Sequence, residues 1–395
     1  LPLYYKLNLT SIYTYLDVRF GKTAYRTGAS FFLLSKMLGA AARLYLVCLI
    51  LQNYVFGSMG VPFEITAAGT VSLIWLYTFR GGIKSLVWTD ALQTLCLITA
   101  LVLILYQLCC LNDFTVTEAI RHVTESPYGR WIEWDDWTSR QHFAKQFFSG
   151  VFIVIVMTGL DQDMMQKNLT CKNLRDAQKD MCSYGFSFIP LNMLFLGMGI
   201  LLLALASREG IALPVKGDDI LPLFCAEGYL GNEVLVLFTI GIIAAAFSSA
   251  DSALTALTTS FCVDILDVER RFARPEAVRK RVHGVIALLF VGFILCFEAV
   301  NDSSVIDAIY VVASYTYGPL LGLFAFGMFT RRKPWPAAVP WICVTAPVCC
   351  YLLDIWTASV YGYRFGYELL MLNGLFTFMG LYAFSKAYSP GMDKR

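Results

Sequence analysis

Ten apolar runs, each near or above the length that crosses a bilayer, constrain this chain more than any other feature. A transmembrane helix needs about 20 predominantly apolar residues. The runs cover 26–54, 61–79, 85–111, 146–166, 176–206, 231–262, 283–300, 304–329, 336–355 and 366–388. We number them spans 1 to 10 and predict an all-α integral membrane protein with about ten transmembrane helices.

The composition supports a membrane class and excludes several others. The 395 residues are 57% hydrophobic and 15% charged, whereas soluble proteins carry about 25% charged residues. A net charge of +2 without a long basic block argues against a nucleic-acid partner. The twelve cysteines lie mostly in apolar runs without a CxxC spacing, so we predict buried thiols and neither a disulfide framework nor a zinc site.

The distribution of basic residues predicts the orientation. Lys and Arg concentrate in alternate loops, for example in 270–281 and 331–333. Basic loops stay on the cytoplasmic side. Residues 1–24 are mixed and basic, so we expect a cytoplasmic loop there and both visible ends in the cytoplasm. No linker interrupts the sequence, which predicts a single transmembrane domain over 1–395, multi-pass in the plasma membrane, with the bilayer and a small solute as its partners.

Span 6 carries a polar face. At about 100° per residue, four hydroxyl residues share one stripe: Ser248, Ser252, Thr255 and Thr259. Asp251 lies on one flank of this stripe and Ser249 on the other. Hydroxyl, carbonyl and carboxylate oxygens suit a hard cation, although the hydroxyls alone could bond back to their own helix. A carboxylate at membrane depth indicates a functional site.

Span 1 carries two basic residues in an apolar run. Lys36 and Arg43 are seven residues apart and therefore share a face. Lys36 is near enough to the cytoplasmic end for its ammonium to snorkel into the headgroups. Arg43 is deeper, and two interpretations stay open. It could form a structural ion pair with a neighbouring helix, or it could clamp an anionic substrate in a bidentate manner.

Five local patterns resemble the sodium/solute symporter family, which includes the sodium/glucose, sodium/proline and sodium/sialic acid cotransporters. They are YTYLDVRFG (13–21), GGIKSLVWTDALQT (81–94), LDQDMMQKNL (160–169), AAAFSSADSALTALTTSFCVDI (244–265) and YGPLLGLFAFGMFTRR (317–332). Their order and spacing match nearly the whole chain. The resemblance implies a LeuT-type fold of two inverted five-helix repeats, with alternating access around midplane sites.

The resemblance also assigns the helices. Residues 25–330 would be core helices 3 to 10, and 331–395 would be two accessory helices and a tail. Family members carry further helices before this point, so we expect an N-terminally truncated copy that lacks one peripheral helix and core helices 1 and 2.

Site residues follow from the resemblance. The sodium site common in the family would take the Ala245 carbonyl and the Ser248 and Ser249 hydroxyls. A further sodium site found in some relatives maps to Asp90, Ser248, Asp251 and Ser252. Two carboxylates there could bind a proton instead, and Asp90 could simply favour the start of its helix.

Two other residues are assigned by position. Sialic acid relatives hold the substrate carboxylate with an arginine on core helix 3, one turn before Arg43, where this chain has Gly39. Asp161 ends core helix 6, and we expect a solvated gate or a helix-end hydrogen bond there rather than a substrate contact.

The predicted function is sodium-coupled symport of a small organic solute into the cytoplasm, with Arg43 favouring an anionic solute such as a sialic acid. The alternatives are proton coupling, a neutral sugar or polyol as substrate, and a non-transporting sensor on the same fold. An intramembrane enzyme is disfavoured because His122, His142 and His283 fall in or beside loops. Na⁺ is the only ion or cofactor predicted, and no ATP-binding pattern is present.

Overall fold

The computed structural model describes residues 1–7, 11–78, 83–130, 132–215, 217–300 and 305–387 and is almost entirely helical. Its helices are α1 Pro2–Leu7, α2 Thr14–Phe20, α3 Lys22–Leu51, α4 Phe63–Thr78, α5 Ile83–Leu111, α6 Val116–Glu125, α7 Phe143–Val154, α8 Gln162–Leu169, α9 Leu174–Glu209, α10 Ile220–Ala226, α11 Asn232–Ser260, α12 Val268–Arg271, α13 Pro275–Val300, α14 Val305–Thr316, α15 Gly318–Phe329, α16 Ala338–Tyr361 and α17 Leu369–Ala383. π-Helical turns extend three of them, at Gln52–Phe56, Ile155–Gly159 and Phe261–Leu266. Two short strands, β1 Arg332–Pro334 and β2 Ser385–Ala387, pair antiparallel with Lys333 opposite Lys386.

The ten predicted spans correspond to helices of three kinds. Within the described residues, six helices are long and apolar enough to cross a membrane alone, and two bent pairs would each make one more span. The six lie in α3, α5, α9, α11, α13 and α16, and the bent pairs are α7 with α8 and α14 with α15. The remaining two spans are the shorter apolar helices α4 and α17. Each of the ten predicted spans therefore has a counterpart: six are long helices, two are bent pairs and two are shorter helices.

The first 24 residues are not the predicted loop. They form α1 and α2, and the side chains of Tyr13, Leu16 and Phe20 are buried in the core. Gly21 then adopts φ +91° between α2 and α3, a backbone conformation that favours glycine. The sequence predicts a loop here because the segment is rich in polar residues. The few buried apolar side chains of α2 share one face of that helix, and this face packs against α3 and α15.

The first bent pair breaks between α7 and α8, where the chain turns by 63°. A break frees backbone carbonyls that need donors inside a membrane. The Tyr4 hydroxyl donates to the Gly159 carbonyl and the Tyr13 hydroxyl to the Leu160 carbonyl, both at 2.9 Å. Burial raises the pKa of Tyr13 well above its ordinary value, so its hydroxyl remains a donor. The N-terminal helices thus complete the hydrogen bonding of this break.

The second bent pair turns by 43° between α14 and α15, around Tyr317. Pro319 lacks an N–H and cannot bond to the carbonyl four residues earlier. The Asn373 side chain of α17 donates to the Ser314 and Tyr315 carbonyls at 3.0 and 2.9 Å. An accessory helix therefore replaces the hydrogen bonds that the break removes.

Helix α3 runs through the centre of the bundle. It contacts α11, α13, α14 and α16, and Ala40, Ala41 and Ala42 are all buried along it. Small residues let helices approach closely in a membrane. This packing places the two basic residues of α3 between α11 and the two breaks.

Candidate functional site

A cavity of about 360 Å³ lies between α3, α11 and α14. Arg43 lines it from α3, Ala245 and Ser249 line it from α11, and Tyr310 lines it from α14. A second cavity of about 190 Å³ adjoins the first at Arg43 and Tyr310 and reaches Lys36 and Asp161. Two of the predicted sodium residues, Ala245 and Ser249, therefore face one space with the predicted substrate arginine.

Arg43 faces these cavities and forms no ion pair with any of the described residues. Its side chain is half-buried, and its Nε has no hydrogen-bond partner among the described residues. The described residues also provide no carboxylate within ion-pair distance of Arg43. Among the described residues there is thus no structural ion pair to Arg43, and its role as a substrate clamp stays a prediction. A guanidinium in this position presents several donors to whatever enters the cavity.

Lys36 differs from its prediction. Its side chain is only 4% exposed, and its Nζ lies 3.2 Å from Asp161 Oδ2 and 2.9 Å from Asp163 Oδ2. The ammonium does not snorkel to the headgroups, because two carboxylates at the α7–α8 break compensate its charge inside the bundle. Arg43 is close enough to act electrostatically on both Lys36 and Asp163.

Asp161 connects three elements. It is the N-cap of α8, where its side chain accepts from the Asp163 backbone N–H at 2.9 Å. It also accepts from the Tyr317 hydroxyl at 2.9 Å and from Lys36. The predicted helix-end hydrogen bond is present, but Asp161 is 3% exposed, so this carboxylate is not solvated. It joins the α7–α8 break, the α14–α15 break and α3.

The hydroxyls of α11 fit a sodium site in part. Ser249 is exposed to the first cavity and Ser248 is half-buried. The Ser252 hydroxyl is buried and has no hydrogen-bond partner among the described residues. Thr258 on the same helix instead donates to the carbonyl four residues earlier at 2.7 Å. The alternative interpretation required the hydroxyls to bond back to their own helix. The Ser252 hydroxyl does not do so, and its oxygen is available to a cation.

The predicted pairing of Asp90 with Asp251 involves α5 and α11. These two helices pack against each other, with Leu97 against Gly241. Asp251 is fully buried, whereas the side chain of Asp90 lies outside the described residues. A shared cation between the two carboxylates stays a prediction.

The sequence reasoning missed two partners. Neither Asp163 nor Tyr317 is assigned a role from the sequence. A signal existed, because a lysine in an apolar span needs a carboxylate at the same depth. Asp161 and Asp163 are the acidic residues closest to such a depth in span 4. The pairing itself depends on the bend, which periodicity does not reveal.

Comparison with known proteins decides the family. The sequence profile of the sodium:solute symporter family matches residues 1–338. The chain belongs to the sodium:solute symporter family. Two relatives in it are the sodium/sialic acid symporters NanT of Aliivibrio fischeri and SiaT of Proteus mirabilis, each 26% identical. These alignments cover 84% and 87% of the chain and 66% and 70% of the relatives.

The chain therefore spans about two thirds of the length of these symporters. Among solved structures, a Na⁺-coupled sialic acid symporter in a substrate-bound, outward-open state superimposes with a TM-score of 0.78. That alignment covers 98% of this chain and 80% of the symporter at 20% identity. The predicted LeuT-type fold, the multi-pass plasma-membrane class and sodium as the coupling ion of the family are confirmed.

Proposed function

We propose that the complete protein is a sodium-coupled symporter that takes up an anionic organic solute, with Arg43 as the residue that binds the anion. One observation carries the proposal: Arg43 lines the cavity that also contains Ala245 and Ser249, and it has no counter-charge among the described residues. A desolvated cation without a partner is costly. A carboxylate entering the cavity would remove that cost through charge-assisted hydrogen bonds.

The relatives support the same substrate class. NanT and SiaT are named for sialic acid, a sugar that carries a carboxylate. A sialic acid is therefore the first solute to test. In our assignment residues 25–330 form the transporting core, and Arg43 serves the role that the family gives to an arginine one turn earlier on the same helix.

Sodium would bind beside the solute. We assign the first ion to the Ala245 carbonyl and the Ser248 and Ser249 hydroxyls, and a second to Ser252, Asp251 and Asp90. Each inward charge gains about 2.3 kcal/mol per 100 mV of membrane potential. Two ions that enter with one monovalent anion move one net charge, so 100 mV supplies about 2.3 kcal/mol, enough for about 40-fold accumulation at about 1.4 kcal/mol per tenfold. The inward sodium gradient adds to this.

The charge cluster around Asp161 would have a separate role. Lys36, Asp161 and Tyr317 connect α3 to the two breaks, the segments that must change angle if the cavity opens alternately to the two sides. We assign to this cluster the role of fixing the two breaks relative to α3. Solute binding is assigned to Arg43.

The test is uptake by the complete protein in liposomes. We expect inward-directed sodium to drive uptake of N-acetylneuraminic acid, and potassium at the same pH and potential to support none. Glucose in excess should not compete. Equal uptake in potassium would contradict sodium coupling and favour protons. Full competition by glucose, with no uptake of carboxylates, would favour the neutral sugar alternative.

Substitutions distinguish the two proposed sodium sites. Ser249→Ala should nearly abolish uptake because it removes a ligand of the first ion. Asp251→Ala and Asp90→Ala should weaken sodium activation and lower its Hill coefficient toward one. If both Asp variants kept the Hill coefficient and sodium affinity at normal membrane expression, the second site would be wrong.

A further inference from the structure

A groove of about 440 Å³ lies between the first turns of α3 and α16, away from the cavity at Arg43. The residues that shape it are Lys22, Arg26, Ser30 and Phe31 of α3 with Pro340 and Val344 of α16. Lys22, Arg26 and Ser30 repeat at a spacing of four, as do Pro340 and Val344, which places each set on one face of its helix, and Phe31 adjoins the first set. Two facing helix surfaces thus form a groove that is basic at one end and apolar at the other.

The basic end is not neutralised. Lys22 and Arg26 are exposed, and neither forms an ion pair within the part of the chain that the structure describes. Arg279, on another cytoplasmic segment, does pair with Glu269 at 2.8 Å. Like charges four residues apart on a helix repel each other. An anion between Lys22 and Arg26 would therefore stabilise the start of α3.

Two tryptophans mark the depth of this groove. Trp335 and Trp341 flank the start of α16 and are 69% and 73% exposed. Exposed tryptophan rings of membrane proteins concentrate at the headgroup level. The cations of the groove belong to the first turns of α3, which lie beside this end of α16. They are thus at the depth of lipid headgroups.

The apolar end continues into the bilayer. Both α3 and α16 are long and apolar enough to cross a membrane. Beyond Phe31 and Val344, the next residues along the two faces are Leu34 and Val348, and both are exposed. An apolar track between two spans leads away from the cations and fits an acyl chain.

We propose that this groove binds one anionic phospholipid of the cytoplasmic leaflet. Its phosphate would lie between Lys22 and Arg26 with the Ser30 hydroxyl as a further donor, and one acyl chain would follow Phe31 and Val344. Basic pockets between transmembrane helices on the cytoplasmic side are suited to such headgroups. The lipid would fasten the start of α3 to α16.

The test measures lipid retention on the complete protein in a neutral detergent. The protein is mixed with phosphatidylglycerol or with phosphatidylcholine of the same acyl chains, and native mass spectrometry counts retained lipids. We expect one phosphatidylglycerol to be retained in preference to phosphatidylcholine. Lys22→Gln with Arg26→Gln should weaken that retention by about 30-fold, from about fivefold for each cation. Arg270→Gln with Arg274→Gln, an equal loss of charge on another cytoplasmic loop, should change it less than about threefold.

A second pair of variants tests the apolar track without changing charge. Val344→Trp should reduce retention of phosphatidylglycerol, whereas Val360→Trp at the opposite end of α16 should not. Three results would overturn the proposal: equal retention of the two lipids, equal loss in the two charge variants, or complete displacement of the lipid by millimolar inorganic phosphate. The last result would indicate a site for a soluble anion.

Discussion

Lys36 and Arg43 lie on one face of α3, about 10 Å apart along the helix axis, and the fold treats the two cations in opposite ways. Around Lys36 it places two carboxylates at 3.2 and 2.9 Å and leaves the side chain only 4% exposed. Around Arg43 it provides a cavity with hydroxyls and a tyrosine, and no carboxylate among the described residues lies within ion-pair distance. The same type of sequence signal, a basic residue in an apolar span, thus has two outcomes.

The difference indicates which cation serves the structure and which serves a ligand. A buried charge is tolerated only with close partners, and Lys36 receives them from the break that it helps to hold. Arg43 has no such partner among the described residues, and we propose that the solute provides its compensation. Stability and solute affinity should therefore respond to different residues of the same helix.

The largest effect on stability should come from Lys36→Met. It leaves Asp161 and Asp163 buried without their cation, and removing one partner of a buried pair costs about 3–5 kcal/mol. Equilibrium unfolding of the complete protein in mixed detergent micelles would measure it. Adding Asp161→Asn and Asp163→Asn should restore most of that loss, because asparagine still caps α8. A single variant as stable as the wild type would mean that the charges are solvated.

A smaller effect should follow Tyr317→Phe, which removes the hydroxyl that donates to Asp161. A hydrogen bond to a charged group contributes about 1.5–3 kcal/mol, and Asp161 keeps its other partners, so we expect the lower end. Tyr315→Phe is the matched control. The Tyr315 hydroxyl has no hydrogen bond within the described ranges, so that variant should change unfolding by less than about 0.5 kcal/mol. Equal effects would remove the special role of Tyr317.

The smallest effect on stability should come from Arg43→Gln. No described partner depends on Arg43, so unfolding should change by less than about 0.5 kcal/mol. The same unfolding assay reports it beside Lys36→Met. A loss comparable to that of the lysine variant would reveal a structural ion pair and reverse the comparison.

The sequence predicted the helices, the family and the membrane class because long apolar runs and local motifs specify them. Three residues predicted to bind sodium or solute, Ser249, Ala245 and Arg43, line one cavity, and their roles stay predictions. The sequence did not predict that residues 1–24 are helical, nor that Lys36 is buried. Both depend on the breaks at Leu160 and Tyr317, where tyrosine hydroxyls and carboxylates from distant segments satisfy freed groups. The periodicity of apolar residues describes each helix separately. It contains no information about contacts between distant segments at a helix break.

The central claim is that Arg43 binds the negative charge of the solute. The direct measurement is the sodium-dependent affinity of the complete protein for N-acetylneuraminic acid and for its neutral carboxamide, in the wild type and in Arg43→Gln. Truncating one partner of a buried charge pair costs about 2–5 kcal/mol. We predict that the wild type prefers the acid by at least about 30-fold and that the variant binds acid and amide within about threefold of each other. The same preference for the acid in both proteins would contradict the account.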